Sequence, residues 1–191
     1  MKGTNQEQSE RHILSLNYYH QAKKLLEGGL KTFEKQFGKN HTSTARILIY
    51  LSGFHVDSGN FREAEALLKQ GLDIYIKNFG EDHLKTACAF RSLGEIYFLM
   101  GELEAAEIFV NKGLRIFQEY NHPECFKAME NMAEIKLKES LNLNDKHKIK
   151  SYEAQAIDYL KQALRIVQAQ FPSDSLQRIR IQTKLQKLQA I

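Results

Sequence analysis

Slid along itself by 42 positions, the sequence meets its own pattern. Residues 37–78 and 79–120 agree at Phe37/Phe79, Gly38/Gly80, His41/His83, Thr44/Thr86, Ala45/Ala87, Leu51/Leu93, Gly59/Gly101, Ala64/Ala106, Glu65/Glu107, Gly71/Gly113, Leu72/Leu114 and Ile74/Ile116. Ordinary composition gives about three agreements over such a span by chance. The pattern extends upstream, where Tyr19, Ala22, Leu25, Gly29, Leu30 and Phe33 stand 42 before Phe61, Ala64, Leu67, Gly71, Leu72 and Tyr75. Downstream the register shortens by three, so that His122, Met132 and Ala133 answer His83, Leu93 and Gly94. After an insertion, Ala156, Tyr159, Ala163, Leu164 and Ile166 answer Ala106, Phe109, Gly113, Leu114 and Ile116 at an offset of 50. Self-similarity at a fixed period marks a repeat architecture.

Inside one unit the apolar spacing is helical. Phe90, Leu93, Ile96 and Tyr97 make one stripe, and Leu103, Ala106, Phe109, Val110, Gly113, Leu114 and Phe117 a second. Gly101 falls between them, where a tight turn with positive φ suits glycine. Each unit therefore reads as a helical hairpin. Ala64, Ala106 and Ala156 leave room for close helix approach, and Gly29, Gly71, Gly113 and Ala163 are expected to do the same late in the second helix. A mid-helix glycine costs about 1 kcal/mol relative to alanine, so its recurrence calls for a packing reason. The units are joined by an aromatic residue and a stop, Phe37-Gly38, Phe79-Gly80, Tyr120-Asn121 and Phe171-Pro172, where Gly and Asn suit a left-handed helix cap. His41, His83 and His122 follow those stops, and their recurrence once per linker reads as capping rather than as metal binding.

Composition narrows the class. The 191 residues include two prolines and no tryptophan, with 42% hydrophobic and 26% charged residues, which favours long helices over a loop-rich β fold. The first ten residues are polar and do not read as a signal peptide, and no window approaches the roughly 18 apolar residues of a membrane span. Two cysteines, Cys88 and Cys125, are too few for a disulfide scaffold and read as packed thiols of a reducing, cytoplasmic setting. The net charge of +4 is uneven: residues 142–191 hold nine Lys and Arg against four Asp and Glu. That density is modest for a nucleic-acid surface.

The residues Phe90, Leu93-Gly94, Tyr97, Gly101, Leu103, Ala106 and Gly113 resemble the tetratricopeptide repeat pattern. The 42-residue period and the Gly-x-x-His-x-x-Thr-Ala linker, Gly38 to Ala45 and Gly80 to Ala87, are similar to the kinesin-light-chain variety. The resemblance covers about residues 17–171. It implies an all-α, right-handed superhelical solenoid of stacked hairpins whose first helices line a concave groove. It also implies that Arg46, Ile49 and Tyr50, then Arg91, Glu95 and Phe98, then Lys127, Asn131 and Glu134 face that groove. In light-chain-type repeats an asparagine before the Leu-Gly/Ala pair often clamps a bound peptide. Only Asn131 keeps it here, with Tyr50 and Ser92 at the other two places. Arg46, Arg91 and Lys127 would form a cationic row with Tyr50 and Phe98 between, fit for an acidic segment carrying an apolar anchor. Glu95, Glu130 and Glu134 lie close enough to pair with those cations instead.

The chain divides accordingly into units 1–37, 38–79, 80–120 and 121–171, with a lysine-bearing insertion near 138–151 read as a loop or an overlong helix end. Residues 172–191 follow as a C-terminal capping helix, and residues 1–16 as a polar first helix. His55 stands in the place of Tyr97 and reads as a core or interface residue. No phosphate loop, nucleophile elbow or His-Glu-x-x-His motif occurs, so no enzyme, metal or cofactor is expected. The expected function is a protein- or peptide-binding adaptor, monomeric or a homodimer through a terminal helix, with no membrane partner. The alternatives are a regulatory repeat domain of a larger signalling system with an intramolecular partner, and a weakly basic nucleic-acid-binding helical repeat.

Overall fold

The computed structural model describes residues 3–189, with side chains from residue 20 onward. Among them are eight helices and no strand: α1 Gly3–Phe37, α2 Thr42–Asp57, α3 Phe61–Phe79, α4 Leu84–Met100, α5 Leu103–Glu119, α6 Cys125–Leu141, α7 Lys146–Gln170 and α8 Leu176–Gln189. They form two compact units, Met1–Ile74 and Tyr75–Ile191.

In the first unit α1 packs on α2, and α3 closes on α2 at Gly71. A Cβ there would stand 2.9 Å from Ile49 Cγ1 and 3.1 Å from the Ala45 carbonyl oxygen. Ala45, Leu48, Leu51, Ala64, Leu68 and Leu72 fill the core between these helices. The expected separate helix over 1–16 does not form, because α1 runs unbroken for 35 residues. Nothing in Ser15-Leu16-Asn17 supplies a turn. The side chain of Tyr19 and those expected to cap the fold over 1–16 lie outside the described residues. Gly29 also departs from expectation, since a Cβ there would meet nothing within 4 Å.

In the second unit α4 pairs with α5, α6 with α7, and each pair packs on the next, α5 against α6 and α8 against α7. The two apolar stripes meet: Phe90, Leu93, Ile96 and Tyr97 are buried, as are Ala106, Val110, Gly113, Leu114 and Phe117. A Cβ on Gly94 would fall 2.5 Å from Val110 Cγ2, and one on Gly113 2.8 Å from the Ala87 carbonyl oxygen. These glycines let α4 and α5 approach closely. Of the two expected forms the insertion takes the overlong helix: α7 runs for 25 residues against 17 in α5, α6 keeps the 17 of α4, and only residues 142–145 lie between them. Asp145 accepts from the His147 and Lys148 backbone N–H groups at 2.8 and 3.4 Å, capping α7 at its start. Lys136 then ties the pairs together, 2.6 Å from Glu107 on α5 and 3.0 Å from Glu139, with Tyr152 of α7 beneath it.

The linker motif has a mechanical reading. Gly38 and Gly80 take φ of +88° and +87°, and Asn121 takes +48°. The Thr44 and Thr86 hydroxyls donate back to the Gly38 and Gly80 carbonyls at 2.9 and 2.8 Å. His41, His83 and His122 each accept, through Nδ1, the backbone N–H two residues on, at 3.1 to 3.2 Å. Their rings stack on Phe37, Phe79 and Phe117. In the third linker the platform is Phe117, not Tyr120 of the expected stop. The shortened register turns Tyr120 out to solvent.

Candidate functional site

The helix pairs of the second unit place the first helices α4 and α6 with α8, and a cleft of about 250 Å³ opens on their shared side. Arg91 and Glu95 line it from α4, Lys127, Glu130, Asn131 and Glu134 from α6, and Arg180 and Lys184 from α8. The helical four-residue step sets this order: residues one turn apart lie on one face, so α6 presents Lys127, Asn131 and Glu134 in a row.

Charges in the cleft are matched rather than free. Arg91 reaches Glu95 at 3.2 Å and the Asn131 side-chain oxygen at 3.5 Å, while its Nε is buried without a partner. Lys127 pairs with Glu124 at 2.7 Å. Glu130, 6% exposed at its side chain, accepts from Arg180 Nε at 3.1 Å and Nη2 at 2.6 Å, and also from Lys184 at 3.1 Å. Lys184 bonds Glu134 as well. Burial is the largest influence on Lys184 and would lower its pKa, but hydrogen bonding to Glu134 and the charges of Glu134 and Glu130 outweigh it and raise it. A buried carboxylate needs such cover, and α8 supplies it for Glu130.

The structure thus brings together Arg91, Glu95, Lys127, Asn131 and Glu134. Phe98 is half-buried on α4 and does not line the cleft. Arg46, Ile49 and Tyr50 belong to α2 in the first unit. Arg46 and Tyr50 are exposed, whereas Ile49 packs toward Gly71 and serves the α2–α3 contact. Sequence reasoning missed Arg180 and Lys184. The signal was present, because the offset of 50 that aligned Ala156 with Ala106 also lays Arg180 and Lys184 exactly one repeat beyond Glu130 and Glu134.

Burial pushes the thiol of Cys88 up, with Glu124 adding to the rise and Arg91 and Lys127 opposing it, and burial raises Cys125 too. Neither is an activated nucleophile. Among the described residues no three His, Cys, Asp or Glu side chains gather as a metal site, and no helix is long and apolar enough to cross a membrane.

No curated protein matches the chain by sequence. Among solved structures it is similar to a Podosopora anserina protein described as a kinesin light chain with nearly identical TPR-like repeats. The TM-score is 0.68 at 18% identity, over 98% of this chain and 85% of that one. A single-substitution variant of that protein gives 0.69 at 18% identity, over 98% and 84%. BtubC from P. vanneervenii gives 0.61 at 14% identity, over 93% and 75%. At such identities these likenesses speak for the fold, an all-α repeat solenoid. The tetratricopeptide repeat profile matches residues 17–77 and 49–119, more than half of the sequence. With the repeat register, the helix pairs and this match in agreement, the chain belongs to the tetratricopeptide repeat family.

Proposed function

We propose that the protein is a non-enzymatic adaptor that holds a peptide segment of another protein in the cleft between α4, α6 and α8. The supporting observation is Arg91. Its guanidinium lines the cleft, its Nε is buried without a partner, and it is bonded only to half-exposed Glu95 and, at 3.5 Å, to Asn131. A ligand carboxylate or backbone carbonyl would bond the terminal amino groups of that guanidinium, whose protein partners are the half-exposed Glu95 and, at 3.5 Å, Asn131. Asn131 beside it offers both a donor and an acceptor to a main chain. Glu130 and Glu134 are covered by α8, whereas Arg91 and Lys127 are paired only with near neighbours in the chain, Glu95 and Glu124, at 3.2 and 2.7 Å, partners that an acidic segment could displace. The α8 pairing consumes two of the cations at the basic end of the chain, which counts against nucleic acid. The solution setting consistent with this reading is the cytoplasm.

The test is selection of a displayed random-peptide library on the full chain, followed by affinity measurement of the enriched peptides. Arg91→Glu is expected to weaken them at least tenfold while the thermal midpoint stays within a few degrees. Peptides that bind Arg91→Glu and the parent protein equally would remove the cleft assignment.

A further inference from the structure

α8 is held unlike the first helices before it. α4 and α6 bury eight and ten residues, whereas α8 buries one, Ile181. Among the described residues its hydrogen bonds to α6 are all made by ion pairs: Arg180 and Lys184 to Glu130, and Lys184 to Glu134. Water reaches both cations, Arg180 being 52% and Lys184 34% exposed, so dissolved salt screens them. One contact counts against docking. The Arg178 Nε is buried without a partner, a cost that is relieved when α8 leaves. The same ion pairs set the charge of the cleft. Arg91, Lys127, Arg180 and Lys184 line it against Glu95, Glu130 and Glu134, four cations to three carboxylates. Without α8, two cations face the same three carboxylates, and Glu130 and Glu134 stand uncovered one turn apart on α6.

We propose that α8 is a detachable strap whose docking sets the sign of the cleft, net positive when it is seated and net negative when it is released. The cleft's part in this rests on its reading as a site for an acidic segment, while the strap itself does not. Seated, α8 completes one wall and makes the cleft fit for an acidic ligand. Released, it takes that wall away and leaves carboxylates that repel the same ligand. The two events are coupled, and the coupling is reciprocal: an acidic ligand in the cleft holds α8 down, and conditions that free α8 expel the ligand. Ionic strength is the lever. Screening weakens the ion pairs of α8 and leaves the apolar contacts of α4 to α7 in place.

The test is amide exchange on the full chain at low and high sodium chloride. Exchange over 176–189 is expected to quicken roughly tenfold between about 0.05 and 0.5 M, where the Debye length falls roughly threefold, while exchange in α5 changes by less than about twofold. Arg180→Gln plus Lys184→Gln should show the fast rate already at low salt and lose the salt dependence. Should that variant fail to fold, the salt series on the parent chain decides alone. The strap is overturned if α8 is indifferent to salt, or if α5 quickens by the same factor. It is equally overturned if the folded double variant keeps the parent's slow rate over α8, since packing around Ile181 then holds the helix. The coupling is read with an acidic peptide selected on the cleft, at saturating concentration and low salt. Exchange over 176–189 should then slow roughly threefold or more, and an unchanged rate overturns the coupling. If selection yields no such peptide, the cleft reading fails, and the salt series still decides whether α8 is a strap.

Discussion

Gly29 and Gly113 hold the same place in the repeat but not the same job. A Cβ on Gly113 would press on the Ala87 carbonyl at 2.8 Å and the Arg91 nitrogen at 3.2 Å, both backbone atoms that cannot swing aside. Gly113→Ala is expected to cost about 1–3 kcal/mol through overpacking. Gly29 faces open space in the helical interior, so Gly29→Ala is expected to stabilise by about 0.5–1 kcal/mol. Chemical denaturation of the two variants checks both signs, and equal effects would mean the repeat position alone governs the glycine. Sequence periodicity could not separate them, because it registers a recurring residue and not whether a neighbour is present to press on it. The linker histidines were legible for the opposite reason. A cap is a local device, and residues two apart in the chain satisfy it without reference to the rest of the fold.

Helix stripes, turns and the hairpin character of the units were equally legible, since each depends on spacing within about forty residues. The insertion was legible only as a choice between a loop and an overlong helix end. Its polar run, Asn142 to Lys150, gave no apolar stripe to follow, and the helix there rests on the Asp145 cap and on Lys136 reaching across from α6. That lysine is a nearly buried cation between Glu107 and Glu139. Burial, the largest influence, would lower its pKa, but hydrogen bonds and attraction from Glu107 and Glu139 prevail and raise it. A folded-state pKa above the unfolded one means that the charged lysine favours the fold. This contribution is full below the ordinary value of 10.5 and is lost as pH rises through the raised one. Lys136→Ala, which leaves two carboxylates facing each other, is expected to cost about 1–3 kcal/mol at neutral pH, less than a wholly buried pair because Glu107 is partly exposed. The deficit should shrink when stability is measured above pH 10.5, and a deficit that stays constant with pH would show that the packing of the stem, not its charge, matters.

The cleft was half legible, because the groove-facing positions within α4 and α6 follow from helical spacing, while the cations that close it come from fifty residues further on. That distance is also how stability is distributed through the molecule. In a stacked array each helix pair answers mainly to its neighbours, so protection should follow local burial and not chain average. The largest fully buried side chains concentrate in α4 to α7, with Leu93, Ile96, Phe117, Phe126, Met132, Ile135 and Leu160, whereas α8 contributes only Ile181. Amide exchange is therefore expected to be slowest over α5 and α6 and fastest, among helices of the second unit, over α8. Ile135→Ala opens a cavity on α6 and is expected to cost about 2–5 kcal/mol. Under neighbour-by-neighbour coupling that loss should speed exchange in α5, α6 and α7 far more than in α2. If exchange in α2 rises by the same factor as in α6, the chain unfolds in one step and the two compact units are a geometric division without an energetic one.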